Sequence, residues 1–313
     1  MSAAACLLAY GVLVGAIAPR AFQRRAWLDR VPGWGVAIWL SAILSVVVAL
    51  VGGIALAAAA IVLSPTARHV LDECVASLCS TALGDHGSAT RWAVGGVVVL
   101  AGIGVVAAAV SAGRALAGLC VRTRAHAATA RVLGNPDPHL GALVVDVPEK
   151  VAYAIGGRRR AIVVSRATVQ ALTDDELDIV LAHERAHLAG HHHLVLNVAR
   201  VLATAVPRMR LFSTGVQELG RLVEMCADDA AIRGRDVRDL ITAMLALTST
   251  ARLPRSALGG ASVGLVERAE RLAGRPSRGA TRTARVVLLA GTASLLVGPL
   301  ATVTLLCGAV PFG

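Results

Sequence analysis

Apolar residues in this chain gather into long unbroken blocks towards its two ends and into short, periodic stretches between them. Residues 3–18, 36–63 and 92–119 form three such blocks, and 286–310 a fourth. A bilayer core needs roughly 17–25 apolar residues in a helix, so each block predicts a membrane span, the first at the lower limit. That first block has no basic residue ahead of it and carries Arg20, Arg24 and Arg25 behind it. This is the reverse of a cleaved signal, and the expectation is a retained span.

The middle of the chain follows a different rhythm. Residues 134–140, with Pro136 and Pro138, predict a turn-rich linker. A short strand is expected over 143–147, then a hairpin of 151–155 and 161–165 about Gly156-Gly157. Thr173 and Glu176 have the spacing of a capping box, so a helix should start there and run through Leu177, Val180, Leu181 and His187 to about Gly190. Residues 194–206 are apolar apart from Asn197 and Arg200 and too short to span, so a buried or membrane-lying helix is expected. Residues 222–231 are helical in character.

The predicted fold is mainly α: a polytopic membrane protein with about four transmembrane helices and an α+β domain with a small sheet. Its expected divisions are 1–120 for three spans and their connectors, 121–285 for the domain, and 286–313 for the fourth span and tail.

Composition agrees with a membrane setting. With 56% hydrophobic and 16% charged residues and a mean hydropathy of +0.67, the 313-residue chain is too apolar for an ordinary soluble domain. Arginine placement sets the orientation. Arg20, Arg24, Arg25 and Arg30 face one Asp29 in the first connector; Arg68 and Arg91 are outweighed by Asp72, Glu73 and Asp85 in the second; Arg114, Arg122, Arg124 and Arg131 follow the third span. The domain is therefore expected in the cytoplasm of a multi-pass cell-membrane protein, with both termini outside.

The net charge of +11 and pI of 10.7 are accounted for by attraction of these arginines to anionic headgroups, which makes the lipid bilayer a partner. Basic clusters such as Arg158-Arg159-Arg160 are short and lack interleaved aromatics, so no direct nucleic-acid contact is expected. Cys6, Cys120, Cys226 and Cys307 read as small apolar residues. Cys74 and Cys79 lie in the expected outer connector, where a disulfide persists; two unpaired thiols on one short helix is the alternative, because five residues apart is a poor bridging distance.

The candidate chemistry centres on His183-Glu184-Arg185-Ala186-His187. On a helix the two imidazoles share a face one turn apart, and Glu184 sits beside them, the HExxH arrangement for metal-assisted peptide hydrolysis. Glu184 is then the general base. Two residues are candidates for a third ligand. His193 fits the longer HExxHxxGxxH pattern through Gly190, although Met209, Met225 and Met244 all sit in helical stretches and give no Met-turn. Glu224 lies four residues before Asp228 on one helix face; it could complete a His2Glu site, with Asp228 holding the far nitrogen of a ligand histidine. The alternative for that pair is an acidic surface patch. A second oxyanion donor could come from His191, His192, His193 or Arg233.

Ala152-Tyr153-Ala154 before a Gly-rich hairpin, Ile162 to Ser165, Leu172 to Leu177, the HExxH and the Glu224, Ala227, Asp228 group together resemble the BlaR/MecR-type antirepressor membrane zinc metallopeptidases. More distantly they are similar to CAAX-prenyl and HtpX-like membrane peptidases. The likeness covers about residues 119–274. It implies a zincin-like domain, Zn2+ on His183, His187 and Glu224, Glu184 as base and Asp228 behind the ligands. It also implies that the strand with Val151, Tyr153 and Ile155 is the edge on which substrate pairs. The implied activity is a zinc-dependent metalloendopeptidase in signal transduction, acting on a protein substrate, a winged-helix repressor. A quality-control or processing peptidase of membrane proteins and a non-catalytic receptor or scaffold are the other readings. Antibiotic-sensing members carry a penicillin-binding domain after the fourth span, where this sequence ends at Phe312-Gly313; the expectation is a member without that sensor.

Overall fold

The computed structural model of the chain describes residues 3–23, 26–63, 89–157, 160–248, 255–274 and 278–307. Helices α1 (Ala3–Phe22), α2 (Ala26–Asp29), α3 (Pro32–Leu63) and α4 (Ala89–Leu133) come first. A small sheet follows, with strands β1 (Gly134–Asp137), β2 (Ala142–Val145), β3 (Ala152–Ile155) and β4 (Ala161–Ser165). The rest is helical: α5 (Arg166–Ala171), α6 (Asp174–Ala189), α7 (His192–Ala205), α8 (Arg210–Ala231), α9 (Val237–Thr248), α10 (Arg255–Ala273) and α11 (Arg278–Cys307).

Among the described residues, three helices have the length and apolarity to cross a membrane: Ala3–Phe22, Pro32–Ala59 within α3 and Gly279–Leu305 within α11. They suggest a membrane protein. Their outer faces carry exposed Val12, Leu13 and Ile17, Leu44, Val48 and Val51, and Val286, Leu289, Leu296 and Leu300. Apolar exposure on that scale needs a cover, and lipid supplies one. Pro32 opens α3, at the one helical position where a missing N–H costs nothing. The other expected span, 92–119, falls inside α4, which runs unbroken from Ala89 to Leu133; side chains over much of its first half lie outside the described residues. So do Cys74 and Cys79 and the side chains of Cys120 and Cys307. Cys6 is buried in α1 and Cys226 half-buried in α8, as small apolar residues should be.

The spans do not stand apart from the domain. Tyr10 Oη lies 2.7 Å from Ser45 Oγ, joining α1 to α3, and donates to the Leu295 carbonyl of α11 at 3.4 Å. The largest core then takes in α8: Leu211, Phe212, Leu219 and Leu222 pack with Leu28, Trp39, Ile43, Val46 and Leu288. One face of α8 thus serves as a wall of the bundle that the candidate spans form. The stretch expected as a buried or membrane-lying helix is α7, whose Val195, Leu196 and Leu202 join the same core.

The sheet has the order β1-β2-β4-β3, with β2 parallel to β4 and the other neighbours antiparallel. The hairpin about Gly156-Gly157 is the β3–β4 pair, and the strand expected over 143–147 is β2. The turn-rich linker expected over 134–140 instead begins with β1. Pro136 is tolerated there because β1 is an edge strand, whose outward side needs no N–H. Val144, Ile162 and Val164 on one sheet face pack against Leu177, Val180 and Leu181 of α6, which fixes that helix against the sheet.

Candidate metal centre

Helix α6 is started by its own sequence. The Thr173 hydroxyl accepts from the Glu176 amide at 3.3 Å, and the Glu176 carboxylate accepts from the Thr173 amide at 2.9 Å. The helix runs to Ala189, with Gly190 as its cap. His183 is buried and faces inwards, with His187 one turn on. Arg185, between them, points outwards and donates to the Leu140 carbonyl at 2.9 Å; this is how a charge is accommodated at that position.

The chain reverses at His191, which takes the left-handed conformation with φ 51° and ψ 32°. That choice sets the phase of the three histidines. His192 turns back so that its Nδ1 lies 2.9 Å from His187 Nδ1. His191 Nε2 meets an Arg160 guanidinium nitrogen at 3.0 Å. His193 stacks over Gly156 in the hairpin turn, where any Cβ would collide with its ring. Arg233 lines a polar cavity of about 560 Å³ with Asp175, Asp178 and Asp239. Of the four candidates for an oxyanion donor, His192 is the one brought against the ligand pair.

Helix α8 supplies the third corner. His183 Nε2 and His187 Nε2 are 3.1 Å apart, and the Glu224 carboxylate straddles them, with Oε2 3.5 Å from His183 Nε2 and Oε1 3.5 Å from His187 Nε2. Bonds of about 2.0–2.1 Å to a tetrahedral zinc would set ligand atoms about 3.3 Å apart. The two nitrogens are close to that distance, and with one carboxylate oxygen counted the three ligand atoms lie within 4.8 Å of one another, so the donor set fits such an ion in chemistry and needs only a small turn of the carboxylate in spacing. A second observation agrees. His183 Nδ1 is buried without an aligned hydrogen bond, and Asp228 Oδ1 lies 3.1 Å from it. An ion on Nε2 would keep the ring proton on Nδ1, facing that carboxylate.

Charge in the site is shared among buried groups. Burial opposes a proton on His183, but Asp228 and Glu224 outweigh it and lift its pKa to about 9. Burial lowers His187 to about 4, only partly opposed by Glu224. Glu224 and Asp228 are both held below their ordinary values: burial works against their charge, and contacts with His183 and Arg268 overcome it. Glu184 is raised to about 7, chiefly by burial, with the Ala154 backbone pulling the other way. An ion-free site therefore holds its proton on His183, between two carboxylates.

Arg268 of α10 completes the arrangement, and nothing in its spacing announces it. It grips Asp228 with two hydrogen bonds, 2.8 and 2.6 Å long, and lies 3.2 Å from Glu224. In the sequence it belongs to Glu267-Arg268-Ala269-Glu270-Arg271, which reads as a solvated, charge-alternating helix.

β3 is the edge of the sheet beside α6. Val151 and Ser165 exchange bonds across the hairpin: the Ser165 amide donates to the Val151 carbonyl at 2.9 Å, and the Val151 amide to Ser165 Oγ at 3.1 Å. Antiparallel pairs alternate, so Val151, Tyr153 and Ile155 turn their main-chain groups towards β4. The outward groups belong to Ala152 and Ala154; the Ala154 amide is taken by the Glu184 carboxylate, so those an added strand could use are the main-chain groups of Ala152 and the Ala154 carbonyl.

A His, His and Glu group able to hold a metal ion, His183 buried and the other two partly so, with the Glu184 carboxylate beside it, has the make-up of a metallopeptidase site. Residues 121–206 match the model of peptidase family M48. The match takes in the end of α4, the sheet, α6 with its HExxH, and α7, and it supports a metallopeptidase hydrolase. No curated protein and no solved structure matches.

Proposed function

We propose that the chain is a zinc metalloendopeptidase set into the membrane, its domain on the cytoplasmic side, and that it performs a regulatory cut in a cytoplasmic repressor of the winged-helix class. The observation that carries the enzymatic part is the convergence of His183, His187 and Glu224 beside Glu184 and an edge strand. Zinc in this site supplies Lewis acidity, which makes water a nucleophile near neutral pH and offsets charge on the carbonyl oxygen.

The chain's own residues do the rest. Glu184 takes the proton from the attacking water and returns it to the departing amide nitrogen. Burial raises the proton affinity of this carboxylate and so suits it to a base. Asp228, held by Arg268, fixes the His183 tautomer, and His192 does the same for His187. The outward main chain of β3 aligns an extended substrate segment by strand addition.

The packing of α8 directly on Trp39 and Ile43 of α3 favours a second reading, in which the substrates are membrane proteins. New protein N-termini compared in cells carrying the wild-type chain or Glu184→Gln separate the readings. A single cytoplasmic regulator cut by wild type alone is the expected result, and many membrane-protein fragments would favour the second reading. No difference under any envelope stress would contradict both and leave a receptor or scaffold.

A further inference from the structure

The metal-ligand helix is tied to the spans by more than apolar packing. Asp29 lies in α2, the short turn of helix between the first two candidate spans, next to fully buried Leu28. Its side chain accepts from Arg221 Nη1 at 2.6 Å, and its backbone carbonyl accepts from Arg271 Nε at 2.7 Å. Arg221 also pairs with the buried Glu218 at 2.8 Å. Arg271 reaches on to Asp229 at 2.6 Å. The mechanism uses none of these groups.

Their positions give the contacts a purpose. Arg221 lies three residues before Glu224 on α8, one turn away. Arg271 lies three residues after Arg268 on α10, and Arg268 contacts Glu224 and Asp228. The two groups that fix the third ligand, its own helix and the guanidinium beside its carboxylate, are therefore both registered against one residue of the membrane connector. Both arginine side chains are only 14% exposed, so these are not the solvated surface pairs that contribute little. Charge-assisted bonds of this length also hold direction as well as distance.

We propose that Asp29 is a positioning residue for Glu224: through Arg221 and Arg271 it sets how α8 and α10 close on the metal site, so that the packing of the first two spans fixes the geometry of the third ligand. The proposal rests on the zinc-site reading above.

The test uses the full-length chain in detergent, with Asp29→Asn, Asp29→Glu and Arg271→Lys. Zinc affinity is read by competition with a chelator and ligand geometry by the visible absorption of the cobalt-loaded protein, with metal-free melting as the control. Loss of an outer partner typically weakens metal binding 10–100-fold. Asp29→Asn is expected to weaken zinc about tenfold and to shift the cobalt bands, and Asp29→Glu to restore both. Asp29→Asn is nearly isosteric; should it fail to fold, Arg271→Lys, which cannot hold the Asp29 carbonyl and Asp229 together, is expected to show the same weakening. Lower melting with unchanged zinc affinity and cobalt bands would overturn the proposal, leaving Asp29 merely structural. Glu224→Gln in the same assay separates the two claims. If it keeps its zinc, the ligand reading fails; if it loses zinc while Asp29→Asn does not, only the positioning role fails.

Discussion

Arg268 holds Asp228 through two bonds of 2.8 and 2.6 Å, and Asp228 in turn faces the Nδ1 of His183 at 3.1 Å. Asp228 is fully buried, so its charge depends on that guanidinium and, in the ion-free site, on the proton of His183. Removing one member of a buried pair costs about 3–5 kcal/mol, because the other is left without compensation. Protonated His183 still faces Asp228 in the metal-free protein, so Arg268→Ala is expected to lower its stability by less than that amount and Arg268→Lys by less again. Thermal unfolding of the two variants in one detergent measures the difference.

Glu184 is where function and stability oppose each other. Its carboxyl moves from an ordinary 4.5 to about 7 in the fold. Between those values the folded state binds more protons than the unfolded one, so the group lowers stability as pH rises through that window. Metal-free Glu184→Gln is therefore expected to gain on wild type from pH 4.5 to 7 and to stay ahead above it, while hydrolysis falls by about 10²–10⁴-fold. Melting against pH and peptidase activity check the two halves separately.

Much of this site was legible because its determinants are local. The capping box at Thr173 and Glu176 fixes where α6 begins, and helical spacing then fixes the shared face of His183 and His187. Glu224 and Asp228 were legible as a pair for the same reason. The parts that were not legible depend on phase or on distance along the chain. Which of three consecutive histidines returns to the site is decided by the positive φ of His191, which spacing does not encode. Arg268 is brought in by the packing of α10, and its charge pattern matches that of a solvated helix. β1 was hidden because Gly-Asn-Pro-Asp has the composition of a turn, and only its place at the sheet edge makes it a strand.

Metal uptake should depend on pH. His183 carries a proton up to about pH 9 in the ion-free site, and a metal must displace it. Zinc affinity is expected to rise about tenfold per pH unit between roughly 7 and 9 and to level off above, with Glu184 steepening the dependence below 7. Asp228→Asn, which removes a group that lifts His183, should flatten the slope. Chelator competition across pH reads both.

The alternation along β3 makes a prediction about substrate binding. Ala152→Pro removes an N–H that points away from β4 and leaves the hairpin bonds of Val151 and Tyr153 in place, a substitution that an edge strand tolerates. It is expected to raise KM about tenfold, the worth of one lost hydrogen bond, with zinc content unchanged. Tyr153→Pro breaks the ladder and should lower stability instead. Steady-state kinetics beside melting distinguishes the two.

Zinc per chain in purified wild type, Glu224→Gln and His193→Gln decides whether His183, His187 and Glu224 hold the metal. The structure predicts about one zinc in wild type and in His193→Gln and almost none in Glu224→Gln. Zinc retained in Glu224→Gln and lost in His193→Gln would contradict it and return the third ligand to the histidine over Gly156.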